Sequence, residues 1–173
     1  MRAIALASTT LVVAGCAPYS RPLAAPYRAT LAAFYSDAPR ADAEGGYRAD
    51  VAFERWVDDR FIVGADVSWG AYARTRGREA GVLGAGARIA YVLDLAEIQP
   101  RFGLRVAAER WTLSESPGTT TAPFASAFAG LDWAPRAWPL VLGAEAITPA
   151  MALTGAPLGT SAAAYGVRGG YVF

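Results

Sequence analysis

A chain of 173 residues with a formal net charge of +1 fits one domain plus an export segment, and it lacks the basic surplus of a nucleic-acid binder. A single cysteine excludes an internal disulfide, and the absence of histidine removes the commonest ligand for zinc and copper. Hydrophobic residues make up 54% of the chain, yet no run reaches the roughly 18 apolar residues of a spanning helix. Such a composition fits either a large soluble core or strands with one apolar face.

The chain opens with Met1-Arg2 and a mostly apolar run from Ala3 to Ala14, which reads as a secretory signal over residues 1–15. The run ends Leu11-Val12-Val13-Ala14-Gly15-Cys16, which resembles the lipobox of bacterial lipoproteins. That resemblance implies cleavage before Cys16 and lipid attachment to its thiol. The alternative is ordinary cleavage after Ala14, with Cys16 incidental. Ala17 follows the cysteine where an inner-membrane retention signal would need Asp. Residues 16–26 are rich in Pro and Ala and form an extended tether to the domain at 27–173.

From Tyr27 onward the apolar residues alternate with period two, the mark of strands with two unlike faces. Strands are predicted at 27–36, 45–56, 61–74, 83–93, 101–109, 124–133, 139–148 and 161–173. The clearest runs from Phe61, with Val63, Ala65, Val67 and Trp69 on one side and Gly64, Asp66, Ser68 and Gly70 on the other. In the strand at 124–133 the phase is open; an inward Asp132 would carry Phe124 and Phe128 inward as well. Trp111 breaks the expected pattern of its strand and predicts a bulge or a stretch above the membrane. Long connections are expected at 36–46, 113–122 and 149–160. Short ones are expected at Asp58-Asp59, around Arg76 to Glu79, at Asp94 to Glu97 and at Pro135 to Trp138. Short turns at one end and longer loops at the other match an all-β, antiparallel up-and-down transmembrane barrel of about eight strands.

Composition sets the sign of the two faces. The polar face carries Arg28, Arg48, Asp50, Glu54, Asp66, Arg88, Arg105, Glu109, Glu145 and Arg168, interleaved with Gly and Ala. Small residues beside long charged ones suit a narrow lumen, and near-equal numbers of both signs permit pairing there. A soluble barrel would show more Lys, Glu, Asn and Gln outside and fewer Gly; these charges as the solvated face of a soluble sandwich remain the alternative.

Aromatic residues fall near strand ends, at Tyr27, Tyr35, Tyr47, Phe61, Tyr91, Trp133, Tyr165 and Tyr171, as in the girdles of membrane barrels. The last strand places Tyr165, Val167, Gly169, Tyr171 and Phe173 on one face. This looks like the amphipathic terminal strand that the barrel-assembly machinery reads. Girdles and terminal strand together resemble the small outer-membrane barrels of the OmpA/OmpX type, by pattern over 27–173. The resemblance implies a bacterial outer-membrane location, outer-membrane lipid as surround and the assembly machinery as a partner.

Chemistry is harder to find. Outer-membrane enzymes resemble one another in setting a His beside Ser or Asp, and this chain has no His. Asp58-Asp59 reads as a solvated turn, and Gly84-Ala85-Gly86 lacks the helix that phosphate binding needs. No catalytic, metal or cofactor site is expected. The expected function is a non-enzymatic outer-membrane barrel, acting as an envelope component or through its loops on a protein partner. The alternative is a soluble or surface-anchored lipoprotein barrel that binds a small lipophilic ligand or protein; exposed loop aromatics would favour it, with Phe124 the main candidate.

Overall fold

The computed structural model describes residues 26–36, 43–74, 78–93, 95–113, 119–135, 138–148, 151–152 and 163–173. The signal, Cys16 and all of the tether except Pro26 lie outside them. Nine strands follow in order: β1 Tyr27–Ser36, β2 Ala43–Trp56, β3 Phe61–Arg74, β4 Arg78–Val92, β5 Ile98–Leu113, β6 Thr119–Trp133, β7 Leu140–Ile147, β8 Met151–Ala152 and β9 Ala164–Val172. Each pairs antiparallel with its neighbours, β5 joins β6, and β9 returns to β1, so the sheet closes on itself. The two residues of β8 pair with β6 beyond β7 and prolong the same stave, which leaves a barrel of eight staves.

That stave is broken for a local reason. Phe128 faces Ile147, but Ala125 faces Met151, so one extra residue is inserted on the β7–β8 side. In the sequence a proline, which has no amide to give a ladder, stands between β7 and β8. Thr148 covers the gap: its amide and hydroxyl both donate to the Ala127 carbonyl, and its hydroxyl accepts from the Ala127 amide.

Four of the strands extend further than their alternation indicated. β4 starts at Arg78, β5 runs from Ile98 to Leu113, and β6 starts at Thr119, so half of the long connection expected at 113–122 is strand. β2 starts at Ala43, within the loop expected at 36–46. Thr119 and Thr121 are loop-like in composition, yet the register pairs them with Thr112 and Arg110 of β5. Long-range pairing overrides composition there.

The turns at the opposite end are tight. The Asp58 carboxylate accepts from the amides of Arg60 and Phe61, both at 2.7 Å, while the Val57 amide donates to the Phe61 carbonyl. Asp58 is thus a turn-forming side chain, and Asp59 shares no site with it. Asp58→Ala is expected to lower stability by about 1 kcal/mol, from two exposed hydrogen bonds. The check is the urea midpoint of the barrel refolded in detergent.

Trp111 requires a correction. The β4–β5 register runs unbroken from Ala80 facing Leu113 to Val92 facing Arg101, so there is no bulge. Trp111 shares its parity with Arg101, Arg105 and Glu109 and points into the barrel at 5% exposure. The residue is in phase; only its side-chain type is unexpected on that face.

Candidate functional site

Alternation along each strand sorts the side chains into a filled interior and an apolar belt. All ten charged residues assigned to the lumen from sequence point inward. The register then gathers the interior charges into two clusters. In the first, Arg28, Arg88, Arg101 and Arg168 surround Glu54, Asp132 and Glu145. Glu54 is the hub and lies within ion-pair reach of all four arginines. Asp132 meets Arg28 at 3.2 Å and Arg168 at 3.3 Å. Glu145 meets Arg88 at 2.9 Å, Arg168 at 3.3 Å and Arg101.

The second cluster lies toward the loop end. Arg105 donates to Asp66 at 2.6 and 2.8 Å, and to Glu109 at 3.2 Å. Arg48 bridges Asp50 at 2.7 Å and Glu109 at 2.9 Å. Among the described residues the first cluster thus holds one arginine more than its carboxylates, and the second one carboxylate more than its arginines. Pairing on this scale offsets the desolvation that isolated buried charges would suffer. Arg101 and Asp132 belong to the first cluster but were not among the ten lumenal residues picked out beforehand. The phase of the strand that carries Asp132 was open, and membership of a cluster depends on which strands lie opposite.

Aromatic and aliphatic side chains fill the space between and beyond the charges. Phe128 lies under two guanidinium groups, with Arg88 at 4.6 Å and Arg101 at 5.2 Å from its ring centre. Phe34, Ala32, Ala90, Ile147 and Ala164 pack with it. Toward the loops, Trp111 meets Tyr72 at 5.4 Å between ring centres and packs with Phe124, Val82, Ala80 and Ala122. Toward the tight turns, Trp56, Ile62 and Val92 form one apolar cluster, and Ala134, Val141 and Val172 form another. Phe124, the aromatic expected on a loop, is 3% exposed inside this packing and offers nothing to a partner. Asp132, Phe124 and Phe128 all point inward, which fixes the phase of the β6 strand.

Glycines make room for these groups across the ladders. Gly64 faces both Glu54 and Arg88; a Cβ there would sit 2.8 Å from the Glu54 Cγ. Gly103 faces Phe128, and Gly143 faces Asp132 and Arg168. Charged, aromatic and aliphatic side chains thus occupy the interior, which in an eight-stranded barrel is just wide enough for them.

The outward face is the opposite. Leu31, Val51, Val67, Leu83, Ile89, Leu104, Val106, Leu142 and Val167 are all exposed. Aromatic rings bound this surface. On the turn side Phe61 packs edge-on to Tyr91 at 5.2 Å, and Tyr27 stacks on Phe53 and Phe173. On the loop side Tyr35 meets Tyr47 at 5.5 Å and is paired in register with Tyr165. From Tyr27 to Tyr35 the strand rises about 26 Å. With a tilt of about 40° this spans roughly 20 Å along the axis, close to the apolar band of a membrane barrel. Charged inside and apolar outside is a polarity that water cannot stabilise and lipid can. The fold is that of a small eight-stranded outer-membrane β-barrel.

Solved structures bear this out. The chain is similar to Neisserial surface protein A, with a TM-score of 0.65 and 15% identity over 85% of this chain and 96% of that one. It is similar to the outer membrane protein OprG of Pseudomonas aeruginosa, with a TM-score of 0.62 and 12% identity over 86% and 96%. It is also similar to the attachment invasion locus protein Ail of Yersinia pestis in complex with the heparin analogue sucrose octasulfate, with a TM-score of 0.56 and 11% identity over 86% and 99%. No family model matches the chain, and no curated protein does. At these identities the likeness is one of fold.

The barrel's seam closes between the first strand and the last. Tyr165, Val167, Tyr171 and Phe173 are exposed on the outward face of β9, with Gly169 in line. The amides of Tyr27 and Phe173 each donate to the other's carbonyl, at 3.0 and 2.9 Å.

Proposed function

We propose that the chain is a non-enzymatic protein of the bacterial outer membrane, a structural envelope component whose loop end faces outward. The observation that carries this reading is the inverted polarity of a filled barrel. Among the described residues twelve charged side chains pair within a lumen filled by side chains, and leucine, valine and aromatic residues face out. Among the described residues the lumenal serines and threonines have no histidine to activate them. Action on other molecules is therefore left to the rim and the loops, where a protein partner would dock. The experiment is fractionation. The protein should enter the outer-membrane fraction, require detergent for extraction, and migrate more slowly on gels after boiling than before. Recovery from the soluble periplasm without detergent would overturn the reading.

Two further assignments rest on sequence. Cys16 is the lipid attachment site, joined to the barrel by the tether at 16–26. The face formed by Tyr165, Val167, Gly169, Tyr171 and Phe173 is the contact read by the assembly machinery. Cys16→Ala should abolish labelling by a fatty-acid probe and stop cleavage by the lipoprotein peptidase. Unchanged processing of that variant would make the cysteine incidental.

A further inference from the structure

The outward face of β5 changes character in a single step. Phe102, Leu104, Val106 and Ala108 are apolar and exposed, and the next two outward residues are Arg110 and Thr112. The register sets Arg110 opposite Thr121 and Thr112 opposite Thr119, both on β6 and both exposed. A patch of hydroxyls thus surrounds one guanidinium immediately above an apolar wall. Among the described residues the only other arginine on the outward face of a strand is Arg55, at the turn end, where it lies 5.7 Å from the Tyr27 ring centre.

Beside Arg110 is a pocket of about 270 Å³, lined by Gly70, Gly81, Val82, Leu83, Arg110 and Thr112. Gly81 forms it by omission: a Cβ built there would meet nothing within 4 Å. Below the pocket, Leu83 and Trp69 are adjacent in register and half-exposed, in position to line an acyl chain.

We propose that this pocket binds the phosphate of a phosphorylated lipid headgroup in the loop-side leaflet, with Arg110 as the anion ligand and the threonines as hydroxyl donors. The proposal rests on the membrane reading above and adds a ligand to it. A lipid-facing arginine at mid-bilayer would cost about 2–4 kcal/mol, so Arg110 marks the headgroup level. There a guanidinium pairs with phosphate through paired N–H donors. The apolar wall directly beneath favours an anion that carries chains over a free one.

The test uses the full chain in nanodiscs of phosphatidylcholine doped with bisphosphorylated lipid A. Lipid A retained after detergent exchange is counted by native mass spectrometry. Wild type should retain it, and millimolar inorganic phosphate should not displace it. Arg110→Gln should lower retention about tenfold, the scale of one charge-assisted contact. Gly81→Leu should do the same by filling the pocket, with the barrel intact because the added side chain meets open space. Arg55→Gln at the opposite rim should change nothing. A folded wild type whose retention is untouched by Arg110→Gln or Gly81→Leu would overturn the site alone. So would equal loss in Arg55→Gln, or displacement by inorganic phosphate. A wild-type chain that fails to insert would overturn the membrane reading, and the site with it.

Discussion

Glu54→Leu is expected to prevent the folded barrel from accumulating. Glu54 is the one carboxylate within reach of Arg28, Arg88, Arg101 and Arg168 together, and it is fully buried. Its loss would leave four buried guanidinium groups facing only Asp132 and Glu145. Breaking a buried ion-pair cluster by removing one partner costs about 3–5 kcal/mol, a large share of the roughly 5–15 kcal/mol that stabilises a typical domain. Leucine matches the volume closely enough that packing should not dominate. Glu54→Gln keeps the shape and accepting oxygen and should lie between wild type and Glu54→Leu. Glu97→Ala, at an exposed turn where the carboxylate accepts from the Trp133 indole at 3.4 Å, should be nearly neutral. The readouts are the heat-modifiable fraction on gels and the urea midpoint in detergent. A Glu54→Leu barrel as stable as wild type would show that the cluster does not hold the lumen together.

Outside the strand at 124–133 and Trp111, the face of the strand residues was legible in the sequence, because parity is a local property. Arg88 and Ile89 are neighbours, and one is 6% and the other 46% exposed. Partnership was not legible, because it depends on register between strands distant in the chain. Nothing local says that Glu54 will meet Arg101, or that Phe128 will lie beneath two arginines. The same holds for the glycines. Their excess on the polar face was visible, but not that Gly64 serves Glu54 and Gly103 serves Phe128. Trp111 shows how the reading failed. Composition argued against an indole on a charged face, and parity, which was right, was set aside. The lumen toward the loops is an apolar plug of Tyr72, Trp111 and Phe124, so a sharp division into polar inside and apolar outside was too simple. Strand ends were misjudged where threonines or isolated charges replaced apolar residues, as at Thr119 and Arg110. Those are the positions that leave the apolar belt for the headgroup level.

Single cysteines placed in a Cys16-free background should be labelled by membrane-soluble maleimide in liposomes according to parity. Positions must be chosen by space as well as by face. Gly84 and Gly86 point inward, but a side chain at Gly84 would press on the Ser68 hydroxyl at 2.6 Å, and one at Gly86 on the Ala107 methyl at 2.8 Å. Their failure to label could reflect misfolding. Ser68 and Ser126 avoid this, since both are buried in the lumen and cysteine is nearly isosteric with serine. Val67 on β3 and Ile89 on β4 are both exposed on the outward face, and Val63 pairs with Ile89 in register. Cysteines at Val63, Val67 and Ile89 should therefore react, and those at Ser68 and Ser126 should not. Val67→Arg adds the energetic counterpart: Val67 aligns through Val51 with Leu31, half-way from Tyr27 to Tyr35, and an arginine facing lipid near the midplane costs about 2–4 kcal/mol and should sharply reduce insertion. Val57, exposed at the tight turn outside the apolar belt, provides the control, and Val57→Arg should insert normally. Labelling at Ser68 and Ser126 with protection at Val67 and Ile89 would reverse the sign of the faces and remove the barrel from the membrane.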